Sequence, residues 1–166
     1  MKAIFAAIDR AIELLVAAIF LAMVSVGAWQ VFSRFVLNFT PSWSEEIQIF
    51  GHIWLVFLAI PIAYRRGAHI TVEAIRRIMS PLIGKAFDIV NELLWLGFAI
   101  ATAWYSYRVS LITQNSVSPG LEIPMSYPYY GMILGSAYLL LVVVRRLAGE
   151  PPVRDPEQLP PEASVT

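Results

Sequence analysis

Residues 14–33, LLVAAIFLAMVSVGAWQVFS, form a run of twenty residues without Asp, Glu, Lys or Arg. About 20 apolar residues cross the ~30 Å hydrocarbon core of a bilayer as an α-helix. Lys2 and Arg10 resemble the positive region of a signal peptide, but the run exceeds the roughly 7–15 apolar residues that such a peptide contains. It therefore predicts a retained membrane-spanning helix, with cleavage near residues 26–28 as the alternative.

Three further uncharged runs lie at residues 47–64, 93–107 and 123–144. The middle one is short, but Ile89 and Val90 extend it inward. Hydrophobic residues make up 58% of the chain and mean hydropathy is +0.65, well outside the range of soluble domains. The sequence predicts an all-α integral membrane protein in which residues 1–148 form one domain. Its four transmembrane helices span about residues 11–36, 43–65, 86–110 and 125–146.

The positive charges predict sidedness. With four spans and the N-terminus inside, ten of the twelve Lys and Arg face the cytoplasm and only Arg34 and Arg108 face outward. The positive-inside rule then places both termini in the cytoplasm. On this topology Asp9, Arg10 and Glu13 lie among cytosolic headgroups.

Two segments outside the spans have recognisable patterns. Val72, Ile75 and Met79 repeat at helical spacing opposite charged residues, which predicts a short amphipathic helix over 70–79 on the cytoplasmic face. The tail, 149–166, contains five prolines, which predicts disorder. At the second span, Pro41 at the first helical position and a capping box between Ser42 and Glu45 predict the helix start.

The composition excludes several kinds of chemistry. Net charge is zero, which argues against nucleic acid, and the absence of cysteine removes thiol redox and thiolate metal sites. His52 and His69 are 17 residues apart, so they cannot share a metal or haem. No nucleophile with a paired base is present. We therefore expect no enzyme activity, cofactor or metal, and we expect His52 to hydrogen-bond a neighbouring helix.

Two patterns indicate contacts between helices. Asp88 and Glu92 lie one turn apart, and salt bridges to Lys85 or the arginines at 65, 66, 76 and 77 are favoured over an ion relay. Gly131 and Gly135 form a small-xxx-small face that predicts close helix packing with an unspecified partner.

Five motifs in order resemble one family. They are WQVFSRFVLN (29–38), SWSEE (42–46), WLVFL (54–58), YRRGAHI (64–70) and SPGLEIP (118–124). This set resembles the small membrane subunit of tripartite ATP-independent periplasmic (TRAP) transporters, the DctQ-like family. The resemblance implies four spanning helices in a bacterial inner membrane. It also implies a scaffold role beside a large membrane subunit, which takes up an organic acid, usually with sodium, from a periplasmic solute-binding protein.

The resemblance leads to two predicted contact surfaces. The outer-face set, facing the large subunit or the binding protein, is Arg34, Trp43, Ser44, Glu45, Glu46, Ser118, Pro119 and Pro124. On the inner face we expect Arg65, Arg66 and His69 to anchor the chain to lipid headgroups or the partner. The alternative is a stand-alone carrier or sensor that forms a homo-oligomer through Gly131 and Gly135. The solute is left open.

Overall fold

The chain forms four long helices. A computed structural model describes residues 2–66 and 81–149, and its helices are α1 (Lys2–Val36), α2 (Ser42–Arg65), α3 (Pro81–Thr113) and α4 (Tyr127–Leu147). Each is long and apolar enough to cross a membrane, which confirms the four predicted spanning helices. The interfacial helix expected at 70–79 and the proline-rich tail beyond residue 149 lie outside the described residues.

Successive helices run in opposite directions. Asp9, near the start of α1, pairs with Arg65 at the end of α2 and with Arg145 near the end of α4. Glu92, in the first half of α3, pairs with Arg146 of α4. These contacts bring the starts of α1 and α3 beside the ends of α2 and α4. We call this the termini end of the bundle, and we call the opposite end, with residues 37–41 and 114–126, the loop end.

The helix α4 is the centre of the bundle. It packs between α2 and α3, while α1 packs along α2. In the most apolar stretch of α4, 44% of residues are buried, against none in that of α1. The core cluster comprises Tyr64, Ala99, Tyr138, Leu139, Val142 and Val143. Most of the surface of α1 is therefore left to lipid or to another protein.

Two glycines allow α4 to approach α2 closely. A Cβ built on Gly131 would lie 2.6–2.7 Å from the Trp54 ring, and one built on Gly135 would collide with the Phe57 carbonyl. The Trp54 indole N–H donates to the Tyr127 carbonyl, 3.0 Å away, beside the same contact. Small residues of this kind let helix backbones approach in lipid, where close packing provides much of the association energy. The small-xxx-small face is thus occupied by α2 of the same chain.

The start of α2 differs from its predicted form. Pro41 is the N-cap rather than the first helical residue, because its φ of −71° and ψ of 125° are extended. The predicted capping box was wrong: no side chain caps this helix end, and the Ser44 hydroxyl donates to the Pro41 carbonyl at 2.7 Å. Glu45 is exposed, and the neighbouring Glu46 contacts Gly120 in the loop between α3 and α4.

Candidate partner-contact surfaces

The loop between α3 and α4 folds back on itself at the loop end. Val117 and Pro124 form an antiparallel bridge. Inside it, the Ser118 N–H donates to the Ile123 carbonyl at 2.9 Å, and the Glu122 N–H donates to the Ser118 carbonyl at 3.0 Å. Glu122 has a φ of 55°, a backbone conformation that is uncommon for residues other than glycine. These bonds give the loop a defined shape with Glu122 at its exposed turn.

The carboxylate of Glu46 fastens this loop to α2. One carboxylate oxygen accepts the Gly120 N–H at 2.8 Å, and the other accepts the Leu121 N–H at 2.7 Å. Hydrogen bonds to an ionised acceptor are about twice as strong as neutral ones. A Cβ on Gly120 would lie 3.0 Å from the Ser42 backbone, so glycine permits the close approach. We call Glu46, Gly120 and Leu121 the loop clamp.

The eight residues predicted for outer contact divide by burial. Exposed side chains belong to Arg34, Trp43, Glu45 and Pro119, and partly exposed ones to Glu46 and Pro124. Ser44 and Ser118 are buried, at 0% and 1% exposure. The structure thus joins the start of α2 to the last loop through Glu46. Ser44 and Ser118 lie beneath this surface, and a contact with another protein stays a prediction for the four exposed side chains.

A second group of polar residues gathers at the termini end around Asp9. This carboxylate accepts the Tyr138 hydroxyl at 2.8 Å, pairs with Arg145 at 3.2 Å and also pairs with Arg65. Only 6% of Asp9 is exposed, and its described partners are side chains of other helices and not lipid headgroups. A buried carboxylate needs such partners, because an unpaired charge in an apolar interior is strongly unfavourable. Asp9 therefore ties α1 to both α2 and α4.

A neighbouring pair involves Glu92 of α3. The Tyr64 hydroxyl donates to this carboxylate, and the Arg146 guanidinium lies 3.4 Å from it. Arg146 also lies over the Tyr64 ring, 4.7 Å from its centroid. The favoured interpretation of Glu92 as a salt-bridged residue is confirmed, but its described arginine belongs to α4 and not to the predicted group. We call the polar residues around Asp9 and Glu92 the charge cluster; it reaches all four helices.

The three residues predicted for inner-face anchoring have different surroundings. Arg65 pairs with Asp9 and Glu13, and 13% of its side chain is exposed. Arg66 pairs with Glu13 at 3.2 Å, and 45% of its side chain is exposed. His69 lies outside the described residues. Arg65 thus has an internal structural role, and anchoring remains a prediction for Arg66 and His69.

Sequence reasoning missed Asp9 and Tyr138 as partners. Asp9 lies near the start of a transmembrane helix, where a charge is ordinarily explained by headgroups, and Tyr138 lies in the middle of an apolar run that shows no polar partner for it. The sequence did contain a signal: Asp9 and Glu13 lie one turn apart, and arginine pairs lie at the ends of two other spans of the same chain. The pairing itself depends on which helices are neighbours, which the sequence pattern does not give.

Comparison with known proteins identifies the family of this chain. A protein of Haemophilus influenzae named for a TRAP transporter small permease is 22% identical over 143 residues, which are 84% of this chain and 87% of that protein. The isethionate TRAP transporter permease protein DctMQ of Oleidesulfovibrio alaskensis is 26% identical over 110 residues, which are 65% of this chain but 17% of that protein. Residues 23–150 match the family described as the DctQ component of tripartite ATP-independent periplasmic transporters, and the chain belongs to that family.

Proposed function

We propose that this protein is the small membrane subunit of a TRAP transporter and supports a large membrane subunit. The large subunit would carry out ion-coupled uptake of an organic acid delivered by a periplasmic binding protein. The family match over residues 23–150 carries the proposal. The DctMQ relative supports the partnership, because a stretch similar to this chain makes up only a small part of that longer permease.

The interior of the bundle favours a supporting role over transport by this chain alone. The described core is built from apolar and aromatic side chains, and the charge cluster at its termini end is paired internally. Carriers place substrate and ion sites near the bilayer midplane, with unwound backbone or unpaired polar groups around them. In this chain the central helix α4 is unbroken from Tyr127 to Leu147, and the buried side chains near its middle are Ser136, Leu139 and Tyr138, which already bonds Asp9.

We further propose that the termini end faces the cytoplasm. The start of α1 and the end of α4 lie at this end of the bundle, together with the arginine pairs 65–66 and 145–146. The positive-inside rule favours retention of such residues in the cytoplasm. The loop end, with Arg34 and Arg108 as its described basic residues, then faces the periplasm, where a binding protein arrives.

The outer-face surface would be a rigid docking platform. The loop clamp holds the last loop against α2, and beside it Trp43, Glu45 and Pro119 are exposed. In this arrangement Glu45 contacts the partner, whereas Glu46 acts through the loop it positions. Glu45→Gln should therefore weaken uptake without loss of the subunit from the membrane. Uptake at the wild-type rate would contradict a contact role for Glu45.

The alternative of a homo-oligomer required the Gly131 and Gly135 face to be free for a second copy. Gly131 and Gly135 are buried against Trp54 and Phe57 of the same chain. A second copy could reach them only if α2 and α4 separated. Nothing else in the described residues favours a carrier or sensor built from this chain alone.

Co-expression tests the proposal. The tagged chain is expected to co-purify from detergent with the large subunit of its transporter, and deletion of its gene should abolish uptake mediated by that system. Re-expression of the chain should restore uptake. Purification without the large subunit, together with unchanged uptake after deletion, would overturn the proposal.

A further inference from the structure

Two of the three faces of α2 are occupied within the chain. On one, the Gln48 side-chain amide donates to the Met23 carbonyl of α1 at 2.9 Å, and Gly51 lies against the Met23 side chain. On another, Trp54 and Phe57 lie against the glycines of α4. The third face has no helix of this chain packed along it in the described part of the structure.

The third face carries a regular row of residues. They are Glu45, Ile49, His52, Val56 and Ile60, at successive spacings of four, three, four and four. This repeat keeps side chains on one side of a helix. The first four are exposed, Ile49 at 58% and Val56 at 36%, and Ile60 is partly exposed. We call this row the α2 stripe.

His52 makes the α2 stripe unsuited to plain lipid. It lies about 15 Å along the helix from Ser42 and about 20 Å from Arg65, at 1.5 Å per residue, which is close to the bilayer midplane. Among the described residues, Gln48 and not His52 makes the side-chain hydrogen bond from α2 to α1. Acyl chains offer no donor or acceptor, so a polar side chain at this depth favours a protein neighbour that supplies one.

The α2 stripe leads into a groove between α2 and α3. The groove encloses about 380 Å³ and is lined by Ile60, Asn91, Leu94, Trp95 and Phe98. Four of these residues are apolar, so the groove suits a helix surface. Asn91 places an amide in it that has no hydrogen bond to another described residue. Within residues 2–66 and 81–149, His52 and Asn91 are thus two polar side chains without a hydrogen bond along the same surface.

We propose that the α2 stripe and this groove bind a transmembrane helix of the large subunit. That helix would carry hydrogen-bonding side chains at the depths of His52 and Asn91, with small or apolar residues between them. The inference rests on the proposed function, and it specifies which surface of this chain meets the partner. Lipid is disfavoured as the neighbour of this surface, because acyl chains cannot form a hydrogen bond with His52 near the bilayer midplane.

Site-specific crosslinking tests the surface. The chain has no cysteine, so single-cysteine variants need no background removal. Ile49→Cys and Val56→Cys on the α2 stripe are labelled with a benzophenone maleimide in membranes that also contain the large subunit. Leu21→Cys on α1 and Ile100→Cys on α3 are controls, with 67% and 54% exposure. We expect several-fold more crosslinking to the large subunit from the α2 stripe than from the controls.

Substitutions test the chemistry. His52→Ala and Asn91→Ala should each lower recovery of the large subunit roughly threefold to tenfold, the effect of losing one hydrogen bond between membrane helices. His52→Gln should retain more recovery than His52→Ala, since the amide can still donate and accept. Ser25→Ala is the control, because that exposed hydroxyl bonds the Leu21 carbonyl of its own helix at 2.8 Å.

The outcomes separate this inference from the proposed function. Co-purification with crosslinks that favour α1 or α3 would overturn the α2 stripe and leave the proposed function intact. Crosslinks mainly to lipid, or to a second copy of this chain, would also overturn the stripe. Failure of the wild-type chain to recover any large subunit would overturn both.

Discussion

The two ends of the bundle use carboxylates in different ways. At the termini end, Asp9 and Glu92 pair with arginines and tyrosines of other helices, so the charge cluster joins helix to helix. At the loop end, Glu46 accepts two backbone N–H groups, so the loop clamp joins a loop to one helix. The first arrangement links the four helices to one another. The second determines the shape of one exposed surface. Disruption of the charge cluster should therefore destabilise the whole bundle, whereas disruption of the loop clamp should affect only the loop.

The largest effect is expected at Asp9. Asp9→Ala removes the buried carboxylate that Arg65 and Arg145 share, and breaking such a buried pair typically costs about 3–5 kcal/mol. Thermal unfolding in detergent, followed by tryptophan fluorescence, should show a large loss of stability. Arg10→Ala is the matched control, because Arg10 is adjacent in sequence but exposed. Equal melting of the two variants would show that the charge cluster does not hold the bundle together.

Glycine variants compare the centre of the bundle with its surface. Gly135→Ala forces a methyl group against the Phe57 backbone, and overpacking of this kind costs about 1–3 kcal/mol. Gly97→Ala adds the same methyl to α3 where nothing lies within 4 Å, and alanine favours helix by about 1 kcal/mol. The melting temperature should fall for the first variant and stay equal or rise for the second. A fall in both would mean that α3 is packed against something at Gly97.

The loop clamp should show a local effect. Glu46→Gln keeps one acceptor oxygen but opposes the other N–H with an amide, at a cost of roughly 1–3 kcal/mol within the loop. Hydrogen–deuterium exchange at Gly120 and Leu121 should accelerate while the melting temperature changes little. Glu45→Gln should leave that exchange unchanged, since Glu45 is exposed. Unchanged hydrogen–deuterium exchange in Glu46→Gln would show that Glu46 does not hold the loop in place.

The smallest effect is expected at Arg66. Its pair with Glu13 is largely exposed, and such pairs contribute about 0–1 kcal/mol. The melting temperature of Arg66→Gln should therefore stay close to that of the wild-type chain, whereas Arg65→Gln should lose nearly as much stability as is expected for Asp9→Ala. The two adjacent arginines serve as controls for each other. A larger loss for Arg66→Gln would reverse their assigned roles.

The sequence was sufficient for the helices because a membrane imposes a simple requirement. Long uncharged runs must be helical in lipid to satisfy their backbone, so three spans followed directly, and the fourth needed Ile89 and Val90 to extend the short run at 93–107. The adjacent carboxylates of Glu45 and Glu46 also marked the start of α2. Which of the two reaches the loop depends on a 100° difference around the helix and on the position of Gly120, and no local pattern specifies that.

The partners of the buried charges were harder to predict. Glu92 was expected to form a salt bridge, but its described arginine, Arg146, comes from the helix that packs at the centre. Neighbour relations among membrane helices arise from packing, which Gly131 and Gly135 allow and whose partner they do not name. The partners of Asp9 were missed for the same reason. A charge near a helix end is compatible with lipid headgroups, and the sequence does not show which arginine lies beside it.

Reconstitution tests the central claim that this chain supports transport without carrying solute itself. The purified chain alone in liposomes should give no solute flux above that of empty vesicles under an imposed ion gradient. Addition of the large subunit and of the binding protein with its bound solute should give uptake, and omission of this chain should remove it. Solute flux through vesicles containing this chain alone would contradict the account.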